Sequence, residues 1–222
     1  MERHGSQVAS PLEVSVSGLF RIPWQQRDLF MVLSIGLMAL ARAADVLVTY
    51  QYSPELAFEG NPMVRDFGMG WPFLLAVNFV AVALAGYCAY CLWHQPGRYE
   101  RSAEVHDIWS FASFACYHHV YSKPTFLLRR LFCAPNSWRH TLRFFGAVTP
   151  PVFVAISAVA VFSWYAMYGL HWDGYSQLYN ALWPFYPYAI VVPVLWVSAA
   201  LFYRNEYRRY CTEENSRATR EP

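Results

Sequence analysis

Four stretches of this chain, residues 28–50, 71–93, 150–170 and about 178–203, are apolar over the length needed to cross a bilayer. At about 1.5 Å of rise per residue they extend about 30 to 39 Å as helices, against a hydrocarbon layer about 30 Å thick. The apolar fraction is 56% and the charged fraction 14%, and the apolar residues are gathered into those blocks rather than spread with the period of a strand or of an amphipathic helix. The chain reads as an all-α, polytopic membrane protein with four transmembrane helices. Residues 1–27 precede the first block, with Pro11, Pro23 and Trp24 among them, and no small-residue cleavage site follows it. It therefore reads as a retained helix and not as a signal peptide.

Lysine and arginine orient the blocks. Three precede residue 28, one lies in the first block, one between the first two blocks, seven from 98 to 143, none between the last two blocks and five after 203. Positive charge collects on the cytoplasmic side of membrane proteins, so both termini and the long central loop are expected there, in a cell (inner) membrane. The expected division is a cytoplasmic N-terminal segment 1–27, a transmembrane hairpin 28–93, a basic and aromatic cytoplasmic loop 94–143, a second hairpin 144–203 and a cytoplasmic tail 204–222. The net charge of +2 is placed to orient helices and to touch anionic lipid, which argues for membrane partners and against nucleic acid.

The first hairpin carries the polar chemistry. Counting about 1.5 Å per residue from the outer ends, Asp45 lies about 7 Å, Arg42 about 12 Å and Asn78 about 10 Å inside the same surface, with Thr49 at the interface. Arg42 and Asp45 are three residues apart and Asp45 and Thr49 four, so all three lie near one helix face and can meet Asn78 across the hairpin. A charge at the middle of a helix costs about 2.5 to 3.5 kcal/mol on insertion, while each Leu, Ile, Val or Phe returns about 0.3 to 0.6 kcal/mol. The two charges must then neutralise one another and face the bundle. They form either a structural ion pair or a proton, cation or headgroup site built on Asp45.

Between the helices runs Glu59-Gly60-Asn61-Pro62. Asn61 suits a helix N-cap and Pro62 the first helical position, so one short turn over 61–67 is expected, closed by Gly68 in a left-handed conformation. Glu59 gains modestly from the dipole of that turn. The arrangement of Asp45 and Thr49, then Glu59, Asn61 and Pro62, then an apolar helix with a polar residue a third of the way along, resembles an uncharacterised bacterial and archaeal membrane-protein family, a domain of unknown function. The resemblance covers about residues 30–92. Members of that family often carry a lysine where this chain has Asn78, and Arg42 is the cation available to stand in. The family has no assigned activity, so the resemblance implies the hairpin and no reaction.

The central loop holds two shorter apolar runs, 108–121 and 126–133, separated by Lys123-Pro124. Both are too short to span and read as one or two helices lying in the plane of the interface. Trp109, Phe111, Phe114, Tyr117, Tyr121 and Trp138 suit the headgroup level, and Lys123, Arg129, Arg130, Arg139 and Arg143 are expected to meet anionic phosphates. Lys123, Arg129 and Arg130 are the candidate lipid-binding residues.

The five cysteines, Cys88, Cys91, Cys116, Cys133 and Cys211, fall at or beside the expected cytoplasmic side, which argues against a disulfide framework. Cys88 and Cys91 match a C-x-x-C pattern, readable as thiol redox chemistry or as two small helix-packing residues. The neighbours His118 and His119 point about 100° apart on a helix and are a poor metal pair. No cofactor is assigned. In the second half, Thr149-Pro150-Pro151 is expected to start the third helix, with Ala155, Ser157, Ala158 and Ala160 as small packing residues, and Pro184, Pro187 and Pro193 to kink the fourth or leave its outer half irregular. Tyrosines and tryptophans from Trp164 to Tyr188 form an outer aromatic belt. Two functions remain open. One is a non-catalytic accessory or scaffold subunit of a larger membrane complex. The other is a small intramembrane enzyme or proton/cation pathway centred on Asp45 and Glu59.

Overall fold

A computed structural model describes residues 24–56, 64, 67–95, 97, 99–100, 102–182 and 185–218, with the side chains of 24, 25, 131 and 213–218 left aside. The described residues form helices and no strand. In chain order these are α1 (Trp24–Tyr52), α2 (Trp71–His94), α3 (Ile108–Tyr117), α4 (Lys123–Phe132), α5 (Trp138–Trp164), α6 (Asp173–Leu182) and α7 (Tyr186–Ala218). A wider π turn, Tyr165–Gly169, ends α5. Among the described residues four helical runs are long and apolar enough to cross a membrane: Gln26–Tyr52, Trp71–His94, Trp138–Gly169 and Tyr186–Thr212. The protein is an integral, multi-pass membrane protein. Outward-turned side chains such as Leu33, Leu40, Leu47, Phe79 and Leu84 are exposed, as suits spans surrounded by lipid, where an apolar surface carries no hydration cost.

The centre of the bundle is α5, which packs against α1, α2 and α7. Its inward face reads His140, Arg143, Gly146, Pro150 and Ser157, all buried. Positions 143, 150 and 157 repeat every seven residues, which keeps them on one side of a helix. Gly146 brings α5 and α2 together, because any Cβ there would overlap the Cys88 carbonyl. Ala85, Ala89 and Cys91 are buried on the facing helix, so the C-x-x-C pair stands at a close backbone approach, where small residues serve packing.

The third span starts earlier than the prolines suggest. It begins at Trp138, where the Ser137 hydroxyl accepts from the His140 N–H, and continues through Pro150 and Pro151. The boundary expected at residue 143 therefore falls inside a helix. Each proline removes one i to i−4 bond, so the carbonyls of Gly146 and Ala147 lose their donors; the span is retained because lipid and neighbouring helices favour any helix over irregular backbone. The fourth apolar block, by contrast, divides. Residues 173–182 form the separate helix α6 and the span begins at Tyr186, so the outer half expected to be irregular is helical; Pro187 stands in the first turn of the span, Pro193 lies inside it and Pro184 lies outside the described residues.

The central loop is more buried than an interfacial reading implies. A capping box at Asp107 and Ser110 starts α3, and His118 ends it in a left-handed conformation at φ 54°. Ser110 to Tyr117 are all buried. Phe111 and Ala115 pack under Tyr210 near the C-terminal end of α7, and Ala112, Cys116 and Tyr117 pack against Phe126 of α4. Of the aromatic residues assigned to the headgroup level, Trp109 and Trp138 are exposed while Phe111, Phe114 and Tyr117 are not. At the other end of the bundle, Gly68 is left-handed at φ 65° and its N–H bonds the Val64 carbonyl, as the reading of that turn expects.

Candidate functional site

Arg42 sits about 15 Å from the end of α1 at Tyr52, Asn78 about 10 Å from the start of α2 at Trp71 and Ser157 about 10 Å from the end of α5 at Trp164. These matched depths bring the three polar side chains together. The Arg42 guanidinium donates from Nη1 to Asp45 Oδ2 at 2.7 Å and to Ser157 Oγ at 3.3 Å. Its Nε donates to Asn78 Oδ1 at 3.0 Å, and Nη2 donates to the same oxygen. Asn78 is itself held, since its amide nitrogen donates to the Leu74 carbonyl at 2.8 Å. The Phe153 ring centroid lies 5.9 Å from the guanidinium. One cation thus ties α1, α2 and α5, with its planar fork of donors directed to three helices.

The meeting of Arg42, Asp45 and Asn78 follows the sequence expectation. Ser157 was assigned only to packing, and its hydroxyl completes the cluster. Thr49 is buried one turn further along α1. Glu59 and Asn61 lie outside the described residues; among the described residues the cluster holds Arg42, Asp45, Asn78 and Ser157. The side chains of Arg42 and Asp45 keep 21% and 13% of their exposure. The pair is therefore shielded without being sealed.

A second polar centre, unforeseen in the sequence, lies at the α3–α4 end of the bundle. Arg143 is fully buried and donates to Glu206 Oε1 at 2.7 Å and to the Gln95 carbonyl. Arg209 reaches the same Glu206 oxygen at 3.0 Å, and the Tyr99 hydroxyl donates to Oε2 at 2.7 Å. The Tyr99 oxygen lies 3.0 Å from His140 Nδ1. Because the one phenolic proton goes to the carboxylate, His140 Nδ1 supplies the proton of that second bond. Burial, and then the adjacent Glu206 charge, push the Tyr99 pKa up, which keeps the phenol a donor. Arg143 was expected among headgroup phosphates; its partner is a buried carboxylate on α7. A cavity of about 100 Å³ opens beside this centre, lined by residues that include Tyr99, Glu100, His118, Arg139, His140 and Arg143.

Around the opposite end the aromatic belt is a contact network. Tyr52 stacks on Trp164 at 6.3 Å and on Tyr168 at 6.0 Å, and Tyr50 meets Trp71 edge-on at 5.3 Å. The Tyr175 hydroxyl lies 2.7 Å from Ser163 Oγ and 3.1 Å from Tyr186, and burial raises its pKa to about 12. Among the described residues, no three His, Cys, Asp or Glu side chains are grouped to hold a metal ion. Lys123, Arg129 and Arg130 belong to α4 and, among the described residues, form no ion pair with a carboxylate of either polar centre, although Arg130 lies near enough to His140 for its charge to act on that ring.

Compared with protein families, with curated proteins and with solved structures, the chain matches none.

Proposed function

We propose that this chain is a non-catalytic accessory or scaffold subunit of a larger complex in the cell membrane, with both termini and the α3–α4 segment on the cytoplasmic side. The observation that carries this reading is the bonding of Arg42 to three helices. Asp45 is held by Arg42, and the same guanidinium is bonded to Asn78 and Ser157, so the charge at this depth is neutralised by a contact that also joins helices. In both polar centres the bonds of a buried or half-buried arginine join different helices, which is what a rigid membrane platform requires.

A partner's place is supported by α7. Its contacts run to α5 and α3, and Tyr188, Trp196, Val197 and Leu201 along its length are exposed. Tryptophan and tyrosine supply large contact areas with little loss of side-chain freedom, and small and aromatic surfaces suit helix association in lipid. The hairpin's likeness to the uncharacterised family belongs to the same reading and adds no reaction.

The test is purification from native membranes in mild detergent, with a photoreactive amino acid in place of Trp196. A second polypeptide crosslinked there and present at a fixed ratio is the expected result. A particle with the mass of one chain, crosslinked to lipid alone, would overturn the proposal.

A further inference from the structure

The ten-residue helix α4 has three kinds of side chain on three sides. Phe126 points inward and is 5% exposed, packed on Ala112, Cys116 and Tyr117 of α3. At 100° per residue, Leu127, Leu128 and Phe132 fall on the opposite side, and they are 44%, 58% and 81% exposed. Lys123 and Arg130 flank Phe126 on one side and Arg129 on the other. The charges are oriented by aromatic rings: Arg129 lies 4.3 Å from the Tyr121 centroid, Arg130 4.8 Å from that of Phe144 and Lys123 5.8 Å from that of Trp109. Among the described residues none of the three lies within ion-pair distance of a carboxylate.

The level of α4 along the bundle is fixed by the same contacts. Phe144, under Arg130, is about 9 Å along α5 from Trp138, and Trp138 and Phe145 at that level are exposed at 66% and 47%. Exposed aromatic side chains at the end of a span mark the headgroup level. An exposed apolar ridge, cations beside it that meet no carboxylate among the described residues and a position at the end of a span are together complementary to a phospholipid surface.

We propose that α4 is an in-plane anchor for anionic phospholipid. Leu127, Leu128 and Phe132 enter the edge of the acyl region, and Lys123, Arg129 and Arg130 take headgroup phosphates. This goes beyond the scaffold role and does not depend on it, since a lone chain would bind lipid in the same way.

The test uses the full chain in nanodiscs of phosphatidylcholine, with or without phosphatidylglycerol. A nitroxide is placed at Phe132 in a background lacking the five cysteines, with one at Glu104 as a solvated reference. The Phe132 label is expected to collide with oxygen more than with a nickel chelate, and to move deeper with phosphatidylglycerol. Collisions dominated by the chelate would place the face in water, and shielding from both would place a second copy or another protein on it. Either result overturns the proposal. With the native cysteines kept, Arg129→Gln and Arg130→Gln are expected to lower retained phosphatidylglycerol relative to phosphatidylcholine, by native mass spectrometry, about fivefold for each charge removed. Unchanged retention with an unchanged melting temperature would also overturn it.

Discussion

Arg143 and Glu206, 63 residues apart in the chain, meet at 2.7 Å with side-chain exposures of 0% and 3%. A buried pair like this adds little over an apolar pair of the same shape, yet removing one member strands the other in a low dielectric. Glu206→Gln is therefore expected to lower stability by about 3 to 5 kcal/mol. Arg209 shares the same carboxylate but is 51% exposed, so Arg209→Gln is expected to cost about 0 to 1 kcal/mol. Denaturant unfolding in detergent micelles measures both. Equal losses would mean that the centre is not organised around Arg143.

Gly146 makes a prediction of opposite kind. Gly146→Ala places a methyl group in the Cys88 carbonyl and forces α5 and α2 apart, at a cost of about 1 to 3 kcal/mol. Gly36 on α1 has nothing within 4 Å of its Cβ position, so Gly36→Ala is expected to stabilise by about 0.5 to 1 kcal/mol through helix propensity alone. The pair of melting temperatures should move in opposite directions. A shift of the same sign in both would remove the close approach as a determinant of the fold.

How much of this was legible in the sequence follows from what each residue type usually means. Block length and hydropathy revealed the four spans, and counting depth from Tyr50 and Trp71 was enough to join Arg42, Asp45 and Asn78. Ser157 was missed because a serine among alanines in a membrane helix reads as a packing residue. Arg143 was missed because it precedes the apolar block and sits in a basic stretch, where arginines usually reach phosphate. The available signal was its spacing of seven from Pro150 and fourteen from Ser157, which placed it on their face. Glu206 had the matching signal, since Phe202, Glu206 and Tyr210 recur every four residues and all three are buried. The inward turn of Phe111 could not be read locally, because it depends on Tyr210, near the C-terminal end of α7 and 99 residues away, packing over α3.

Asp107 offers a test by pH. The backbone N–H of Ser110, and then its hydroxyl, hold the Asp107 carboxyl below its usual range. A depressed carboxylate contributes stability that is present above its unfolded pKa and lost as pH falls through the folded value. The stability of wild type relative to Asp107→Asn is expected to be constant above about pH 5 and to fall as pH drops past the unfolded value of about 3.9 and on through the lower folded value, because Asn caps without titrating. A constant difference over that range would mean that the cap bond does not depend on charge.

Orientation is checked by labelling from outside intact cells. Glu55 and Gln177 are exposed in the segments joining paired spans, and Glu104 is exposed in the central loop. Ser53, though in the same turn as Glu55, is buried and unsuited to labelling. In a cysteine-free background Glu55→Cys and Gln177→Cys are expected to react with a membrane-impermeant maleimide and Glu104→Cys is not. Reaction of Glu104→Cys alone would reverse the topology drawn from lysine and arginine.

The last prediction separates a lock from a working carboxylate at Asp45. If the pair with Arg42 only joins helices, Asp45→Asn leaves the guanidinium held by Asn78 and Ser157 but without its counter-charge, and should lower stability by about 3 to 5 kcal/mol. Adding Arg42→Gln removes the stranded cation and should recover much of that loss, since residues in one bonded network couple strongly. A carboxylate that carries protons or ions behaves otherwise: Asp45→Asn keeps the melting temperature near wild type, abolishes complementation of a deletion strain and is not rescued by the second change. The scaffold reading therefore requires that stability and complementation fall together in Asp45→Asn and return together in the double variant. A stable Asp45→Asn protein that fails to complement would transfer the function of the cluster from structure to chemistry.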